Sequence, residues 1–406
     1  MSFFRQALSK IKEWFMVHVY SLPTRITEFI ARLLPVRNDI LFESKPPFTD
    51  NTDGVYRELL RRGYNKRYRF IWITDSDFDG PLPENVSVLN VGRSRFHKWI
   101  LGCWVAARAR FILDSNQFVL KTNPKTVRIH LRHGLEMKDA HVYNRGIGDA
   151  DVICVPSAYW IDIAAKSYAK DPSLIKPLGF PRNDVLLHPK AHAQKSIIWM
   201  PTFRYTPFYA TEHPEILRAY QKDLPFGLPL IRTQEDFETL NRLFAQQDAV
   251  FYIRLHPAQD VSGIRLNDYS NIRICDNAYL QKVGVSLYEL LTETDALISD
   301  YSSIYYDYLL LDKPIALALS DFDTYSKYNG LLAGTEEQFR QDYPAEFLET
   351  FGDLEQFIRR VLAGEDAARA QRDLARQKYM GQQTDHSSAN IVDYMEKNYD
   401  LKGAAT

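Results

Sequence analysis

Short, continuous runs of apolar residues alternate with helix-like stretches along most of this chain, and that alternation restricts the fold more than any other feature. In the first half, the runs lie at residues 39–44, 68–75, 109–115, 127–133 and 151–157. In the second half, they lie at residues 196–202, 249–257, 295–300 and 314–319. Parallel strands that are buried on both faces by intervening helices produce this pattern. We therefore predict two doubly wound α/β domains, over residues 39–190 and 191–406.

Composition narrows the functional class. The 406 residues include 50 Lys and Arg against 51 Asp and Glu, a net charge of −1, so no overall basic excess indicates nucleic-acid binding. Three well-separated cysteines, Cys103, Cys154 and Cys275, provide neither a disulfide framework nor a CxxC site. The sequence also has no apolar run of about 18 residues and no secretory-signal pattern. We expect a cytoplasmic protein that does not span a membrane.

Residues 1–38 form a separate amphipathic segment, which Pro23 divides into two short helical patterns. The apolar positions recur at helical spacing, at Phe4, Leu8, Ile11, Phe15, Ile26, Phe29, Ile30, Leu33 and Leu34. Such a segment suits either a membrane surface or the protein's own core. The local excess of Lys and Arg in an otherwise neutral chain favours peripheral attachment to a membrane.

Two motifs in the second half are typical of phosphate binding. The turn DYSS, at residues 300–303, joins a predicted strand to a predicted helix. Ser302 and Ser303 then offer hydroxyls beside the free N–H groups of a helix N-terminus; the alternative is a serine that caps its own helix. In the strand that ends in RLHP, Arg254 and His256 share one face. There they can hold phosphate oxygens, or the histidine can protonate a leaving phosphate.

The first half contributes a candidate general base. In the motif HGLEMK, His133 follows a predicted strand, and Gly134 permits a close approach of the backbone. Lys138 adds a positive charge a few residues later. His130, by contrast, lies inside the apolar run, so we predict that it is a packed strand residue.

Two arginines and one acidic stretch have less specific patterns. Arg182, in GFPRND, and Arg204, in MPTFR, adjoin the expected cleft between the domains and are candidate phosphate ligands. The alternative is that each arginine pairs with a nearby acid, for instance Asp184. Residues 74–80, TDSDFDG, hold three aspartates but lack the bidentate Glu of an EF-hand, so we predict no metal site there.

The ordered motifs HGLEMK, GFPRND, MPTFR, RLHP and SDYSSIYYDYLLLDKP resemble those of the CDP-glycerol glycerophosphotransferase family of teichoic-acid primases and polymerases. The resemblance covers roughly residues 39–395. It implies a GT-B architecture, in which two Rossmann-like domains face each other across a cleft. The chain departs from the usual HGTPLK pattern at Leu135 and Glu136, a difference that bears on the acceptor or the donor polyol.

The resemblance also implies an activity, the transfer of glycerol phosphate from CDP-glycerol to a hydroxyl of a lipid-linked or polymeric acceptor, with release of CMP. The enzyme would work at the cytoplasmic face of the membrane, making teichoic acid or a capsule-like polymer. His133 is then the base, and His256 is the second catalytic residue. The family motifs assign the donor phosphates to Arg254, Ser302, Ser303, Asp300, Arg182 and Arg204, and the acceptor side to Gly134 and Lys138. No cofactor is implied, and no divalent metal is required.

Three alternatives stay open beside this activity. The donor is CDP-ribitol in the first. The second is a glycosyltransferase that uses a nucleotide sugar, because a fold alone does not fix the transferred group. The third is a membrane-attached binding subunit without catalysis.

Overall fold

A computed structural model describes residues 33–94, 97–116, 121–138, 149–204, 214–257, 259 and 267–403, together with residues 26, 29 and 30. The chain divides into two compact units. Unit 1 comprises Met1–His133, Tyr143–Arg182 and Gln382–Thr406. Unit 2 comprises Gly134–Val142 and Asn183–Gly381.

Unit 1 is built on a parallel sheet of seven strands, in the order β3-β2-β1-β4-β5-β6-β7. The strands are β1 (Arg37–Glu43), β2 (Arg69–Thr74), β3 (Val86–Asn90), β4 (Ala109–Asp114), β5 (Val127–His130), β6 (Val152–Cys154) and β7 (Ile175–Lys176). Three helices follow strands of this sheet, α1 (Asp50–Arg61), α2 (Cys103–Arg108) and α3 (Trp160–Tyr168). Alternate side chains of β1 enter different cores: Phe42 packs with Val55 of α1, and Leu41 packs with Ala106 of α2. Burial on both faces explains why β1 is a continuous apolar run.

Unit 2 repeats the design with six parallel strands, in the order β10-β9-β8-β11-β12-β13. The strands are β8 (Ser196–Trp199), β9 (Val250–Ile253), β10 (Ile272–Ile274), β11 (Ala296–Ser299), β12 (Ile315–Ala318) and β13 (Glu346–Leu348). The helices are α4 (Pro214–Asp223), α5 (Gln234–Gln246), α6 (Asn277–Val283), α7 (Leu287–Thr292), α8 (Ile304–Tyr308), α9 (Phe322–Asn329), α10 (Glu336–Asp342), α11 (Phe351–Leu362) and α12 (Arg369–Met380). Reciprocal capping boxes begin α5, α7 and α11, at Thr233, Ser286 and Thr350.

Both strand orders reverse next to the first strand of their sheet, as in Rossmann domains. The reversal lies between β1 and β4 in unit 1, and between β8 and β11 in unit 2. Ligands of such sheets bind beyond the carboxyl ends of the strands at this switch point. The prediction of two doubly wound Rossmann-like domains is confirmed.

Each apolar run of the sequence contains a strand, but four strands have no such run. These four are β3, β7, β10 and β13, the two edge strands of each sheet. Several of their side chains keep exposed surface, and β7 has only two residues. Edge strands need no continuous apolar pattern because one side has no neighbouring strand.

The unit boundaries differ from those that the sequence suggested. Helix α13 (Ser387–Asn398) belongs to unit 1, although residues 191–406 were predicted to form one domain. Its buried residues Ile391, Val392 and Met395 complete the core around α1. Conversely, residues 134–142, which were predicted to belong to the domain over residues 39–190, are part of unit 2.

Most of the N-terminal amphipathic segment lies outside the described residues. Of the apolar side chains described in its second part, Ile26, Phe29, Ile30 and Leu33 are 44–71 % exposed, and Leu34 is partly buried. Among the helices that the structure describes, none has the length and apolar character needed to cross a bilayer.

Candidate active site

The switch point of unit 2 is held together by a buried carboxylate. Asp300, directly after β11, accepts hydrogen bonds from the backbone N–H of Thr202 (2.9 Å) and of Tyr301 (2.7 Å). Since Thr202 follows β8, these bonds join the ends of the two strands that flank the switch point. Asp300 is completely buried, so it organises the site from within rather than presenting a carboxylate to a ligand.

Arg204 has the same internal role. Its side chain is fully buried, with Nη1 2.8 Å from Asp300 and Nε 2.8 Å from Asp321. The guanidinium also lies over the Tyr325 ring, with Cζ 4.8 Å from the ring centroid. Arg204 and Asp300 form a buried ion pair, the alternative that the sequence left open for the arginine, and their contact with donor phosphates stays a prediction. A charge already paired and removed from solvent has little capacity left for a ligand.

The DYSS turn leads into α8. Ser303 occupies the N-cap position, yet its hydroxyl makes no capping hydrogen bond to a described backbone N–H. Ser302 and Ser303 are both partly exposed. From within unit 2, Asn183 Nδ2 and the Tyr288 hydroxyl each donate to Asp307 of α8 at 2.8 Å. Helix α8 is thereby fixed behind the turn.

The segment that begins with Gly134 packs next to the DYSS turn. A Cβ added at Gly134 would lie 2.7 Å from Ser303 Oγ, so any other residue requires the Ser303 side chain to move. Leu135 is buried, and the carbonyl of buried Glu136 accepts a hydrogen bond from the Tyr306 hydroxyl at 3.0 Å. The two residues that depart from the family pattern thus pack inside unit 2.

Lys138 lies in unit 2, the unit that also contains the DYSS turn, and its place on the acceptor side stays a prediction. It pairs with Leu331 in an isolated antiparallel bridge. Its Nζ lies 5.2 Å from the Phe203 ring centroid and 5.3 Å from that of Tyr325. Two aromatic faces therefore hold the ammonium group next to the buried Arg204.

His256 and Arg254 follow β9, the strand beside β8. The His256 side chain is exposed, and its ring centroid lies 4.9 Å from that of Phe203. Arg254 donates to the Cys275 carbonyl and to Asn277 Oδ1, both at 2.8 Å, so its guanidinium has a fixed orientation and remains partly exposed. Unit 2 thus gathers His256, Lys138 and the serine turn around the switch point.

Phe203 is the residue of this cluster that we did not select from the sequence. It lies between His256 and Lys138 and keeps part of its surface exposed. Its place in the MPTFR motif, four residues beyond the end of β8 and next to an arginine, was the available signal.

His133 lies in unit 1, after β5, with an exposed side chain. Desolvation by the surrounding protein lowers its pKa below the ordinary 6.5, and the Arg182, His130 and Arg132 charges act in the same direction, while Asp50 opposes them. An accessible imidazole that stays neutral near pH 7 suits a general base.

Arg182 also lies in unit 1, and it is nearly buried. Its Nη1 donates to Asp50 at 2.8 Å and to the main-chain carbonyl of His133. As with Arg204, the arginine is paired with an acid, and its contact with a phosphate stays a prediction. Among its described contacts, the paired acid is Asp50, at the start of α1.

The prediction for His130 is confirmed. Its ring is buried, with Nδ1 3.0 Å from Asp114, which also pairs with Arg128 at 2.9 Å. Burial opposes ionisation of Asp114, but Arg128 and His130 outweigh it and hold the pKa of this carboxyl well below its usual range. The network is structural.

The acidic stretch after β2 is occupied by ion pairs. Asp75 lies 2.7 Å from Lys45, and Asp77 lies 2.7 Å from Arg93. Within the described part of the chain, no group of three His, Cys, Asp or Glu side chains has an arrangement that suits a metal ion.

A family model described as CDP-glycerol:poly(glycerophosphate) glycerophosphotransferase matches residues 26–397. The chain belongs to this family. Both Rossmann-like units and all of the motifs above fall within the matched range. The family assignment thus covers the serine turn, RLHP and HGLEMK together.

Relatives in this glycerophosphotransferase family include both glycerol- and ribitol-phosphate enzymes. A teichoic acid poly(glycerol phosphate) polymerase of Bacillus spizizenii is 26% identical over 82% of this chain and 86% of its own length. A teichoic acid ribitol-phosphate primase of the same species is 24% identical over 74% of this chain and 78% of its own length. The poly(glycerol phosphate) polymerase of Staphylococcus epidermidis is 24% identical over 75% of this chain, but this chain spans only 43% of that protein.

Solved structures of the wall teichoic acid polymerase TagF share the fold of this family member. One covers 99% of this chain and 98% of the TagF chain, with a TM-score of 0.70 at 20% identity. A TagF variant with CDPG also has a TM-score of 0.70, with 98% of each chain covered.

Proposed function

We propose that this protein transfers glycerol phosphate from CDP-glycerol to a hydroxyl of a lipid-linked or polymeric acceptor, releasing CMP, in the synthesis of teichoic acid or a related polymer. The observation that carries the proposal is the serine turn at the switch point of unit 2, within a chain that belongs to the glycerophosphotransferase family. A switch point is where Rossmann-like sheets bind nucleotides. A TagF variant studied with CDPG, which has this fold, supports the proposed donor class.

The proposed reaction is an in-line displacement at the phosphorus that bears glycerol. The acceptor hydroxyl oxygen forms a new P–O bond, His133 takes the hydroxyl proton, and the P–O bond to CMP breaks. The electron pair of that bond leaves with CMP, whose phosphate gains negative charge. Positioning and charge stabilisation supply most of the rate in such a transfer.

We assign to the unit 2 cluster the stabilisation of the negative charge that develops on the leaving CMP. Ser302 and Ser303 offer hydroxyls, Arg254 offers an oriented guanidinium, and His256 is accessible for donating a proton. We also assign Lys138 to this charge, because it lies beside Phe203 in the same unit. Buried Arg204 and Asp300 would support these groups without touching the donor.

A donor screen tests the proposal. The full chain is incubated with CDP-glycerol, CDP-ribitol or a set of nucleotide sugars, with and without an acceptor, and nucleotide release and product length are measured. We expect acceptor-dependent CMP release from CDP-glycerol. No CMP release from either CDP-polyol would reject the proposal, and release from nucleotide sugars alone would establish a glycosyltransferase.

CDP-ribitol is the second candidate donor, and one observation favours it. The ribitol-phosphate primase of B. spizizenii matches this chain about as well as the glycerol-phosphate polymerases do. Faster turnover with CDP-ribitol in the same screen would assign the protein to that branch. A non-catalytic binding subunit would instead bind the CDP-polyol without turnover, and binding would survive His133→Ala.

We also propose peripheral attachment to the cytoplasmic face of the membrane through residues 1–38. Exposed Ile26, Phe29, Ile30 and Leu33 recur at helical spacing, which supports an apolar face directed to a lipid surface. A lipid-linked acceptor would be reached from that surface.

A further inference from the structure

The backbone that carries His133 has a conformation that its own sequence disfavours. Arg132, the preceding residue, has φ +60°, in the left-handed region that non-glycine residues rarely adopt. The sequence here is Leu-Arg-His, and glycine follows only at residue 134. Such a backbone persists only when its surroundings enforce it.

Three consecutive carbonyls of this turn are held by two side chains. Asn51 Nδ2 donates to the carbonyls of Leu131 (3.2 Å) and Arg132 (2.8 Å). The Arg182 guanidinium donates to the carbonyl of His133.

The two side chains that hold the turn are themselves joined. Asn51 Oδ1 accepts the backbone N–H of Arg182 at 3.1 Å. Asp50 pairs with the Arg182 guanidinium at 2.8 Å and has φ +61°. Asn51 is completely buried at the start of α1, so a ligand cannot reach its side chain.

We infer that Asn51 is a positioning residue for catalysis, which holds the left-handed turn at Arg132 and thereby sets the orientation of the His133 imidazole. The expected effect on turnover rests on the proposed function, whereas the expected effect on the turn and on the His133 imidazole does not. Asp50 and Arg182 complete the clamp. Without the Asn51 donors, the residue 132 backbone relaxes toward negative φ and the imidazole leaves its present surroundings.

The test compares two buried asparagines of unit 1. Asn123 is as buried as Asn51, donates to the Ala107 carbonyl at 2.8 Å and accepts a backbone N–H from Lys125 at 3.0 Å. Asn123→Ala therefore removes the same chemistry away from His133. We expect Asn51→Ala to lower kcat about 10- to 100-fold with the KM for CDP-glycerol changed less than about threefold, and Asn123→Ala to leave both unchanged.

Glycine at residue 132 provides a rescue, because glycine adopts positive φ without strain. We expect Asn51→Ala to lower kcat by a clearly smaller factor in an Arg132→Gly background than in the parent chain. Equal losses in the two backgrounds would overturn the inference, since Asn51 would then act on something other than the turn.

A readout without turnover separates this inference from the proposed function. The His133 pKa is followed by NMR of histidine-labelled protein, with His133→Ala used for assignment. The charges around the ring are those of Asp50, Arg182, His130 and Arg132. We expect the pKa to rise toward 6.5 in Asn51→Ala and to stay unchanged in Asn123→Ala. An unchanged His133 pKa in a folded Asn51→Ala protein would overturn the inference, whereas a parent chain inactive on every donor would overturn only the proposed function.

Discussion

Arginines with similar sequence surroundings have different tasks in this protein, and burial decides between them. Arg204 and Arg182 each follow a motif that suggested phosphate binding, yet both are enclosed and paired with aspartates. Arg254 is partly exposed, and two acceptors fix its orientation. A guanidinium is useful to a substrate only where its hydrogen-bonding capacity is not already used inside the fold.

The two accessible histidines give the first prediction at this scale. His133→Ala and His256→Ala should each lower turnover by at least about 100-fold, the lower range for a positioned acid or base. Because desolvation lowers the His133 pKa, the acid limb of the kcat/KM profile should fall below pH 6.5, where the base becomes protonated. Near-normal turnover of either variant would remove that histidine from the mechanism.

Gly134 gives a second prediction, based on space rather than charge. In Gly134→Ala, the new methyl group meets Ser303 Oγ at 2.7 Å and Ser303 Cβ at 3.2 Å, so the Ser303 side chain must rotate or shift. We expect turnover to fall at least about tenfold, with the larger part in the KM for the donor. Gly334→Ala is the control, since an added Cβ there meets nothing within 4 Å. Equal behaviour of the two variants would show that the close approach is unimportant.

Among the elements, helix α13 shows how a distant segment completes a core. Besides its buried apolar face, it contributes Glu396, which accepts hydrogen bonds from the Tyr64 hydroxyl at 2.6 Å and Arg62 at 3.1 Å. Lys402 lies 2.6 Å from the same carboxylate. Burial opposes ionisation of Glu396, but these three partners lower its pKa to about 2.

The lowered pKa gives a pH-dependent prediction. Ionised Glu396 stabilises the folded state fully above its ordinary pKa of 4.5, and this contribution is lost as pH falls toward about 2. Glu396→Gln should therefore lower the free energy of unfolding by up to about 3 kcal/mol at pH 7, and the difference from the parent should shrink below about pH 4.5. Urea unfolding at several pH values measures it. Asp393→Asn, on the exposed part of the same helix, should change stability by less than about 1 kcal/mol; a pH-independent loss in Glu396→Gln would contradict the prediction.

In the molecule as a whole, the two units have the same sheet topology, but neither unit is one continuous segment of the chain. The sheets repeat the same strand order, while residues 134–142 and 382–406 each belong with the unit that is distant in sequence. The chain therefore passes between the two units four times. Cutting the chain near residue 190 would therefore leave the unit 1 core without α13.

Membrane attachment is tested on the full chain. Replacing exposed Phe29 and Leu33 together by Glu should lower co-sedimentation with anionic vesicles at least about tenfold, since two apolar side chains lose their burial in lipid. Turnover with a water-soluble acceptor should stay unchanged. Leu374→Glu alters an equally exposed apolar residue on α12 and should leave sedimentation unchanged. Full sedimentation of the double variant would show that this apolar face does not bind the membrane.

The fold class, the central strands and the motifs at their ends could be predicted from the amino-acid pattern, because a strand buried on both faces needs a continuous apolar run. The same pattern distinguished His130, inside such a run, from His133 beyond it. The edge strands, the unit to which α13 and Lys138 belong, and the partners of Arg204 and Arg182 became visible only in the folded chain. Those features depend on residues far apart in the chain that meet in space, and such meetings leave no periodic pattern in the sequence.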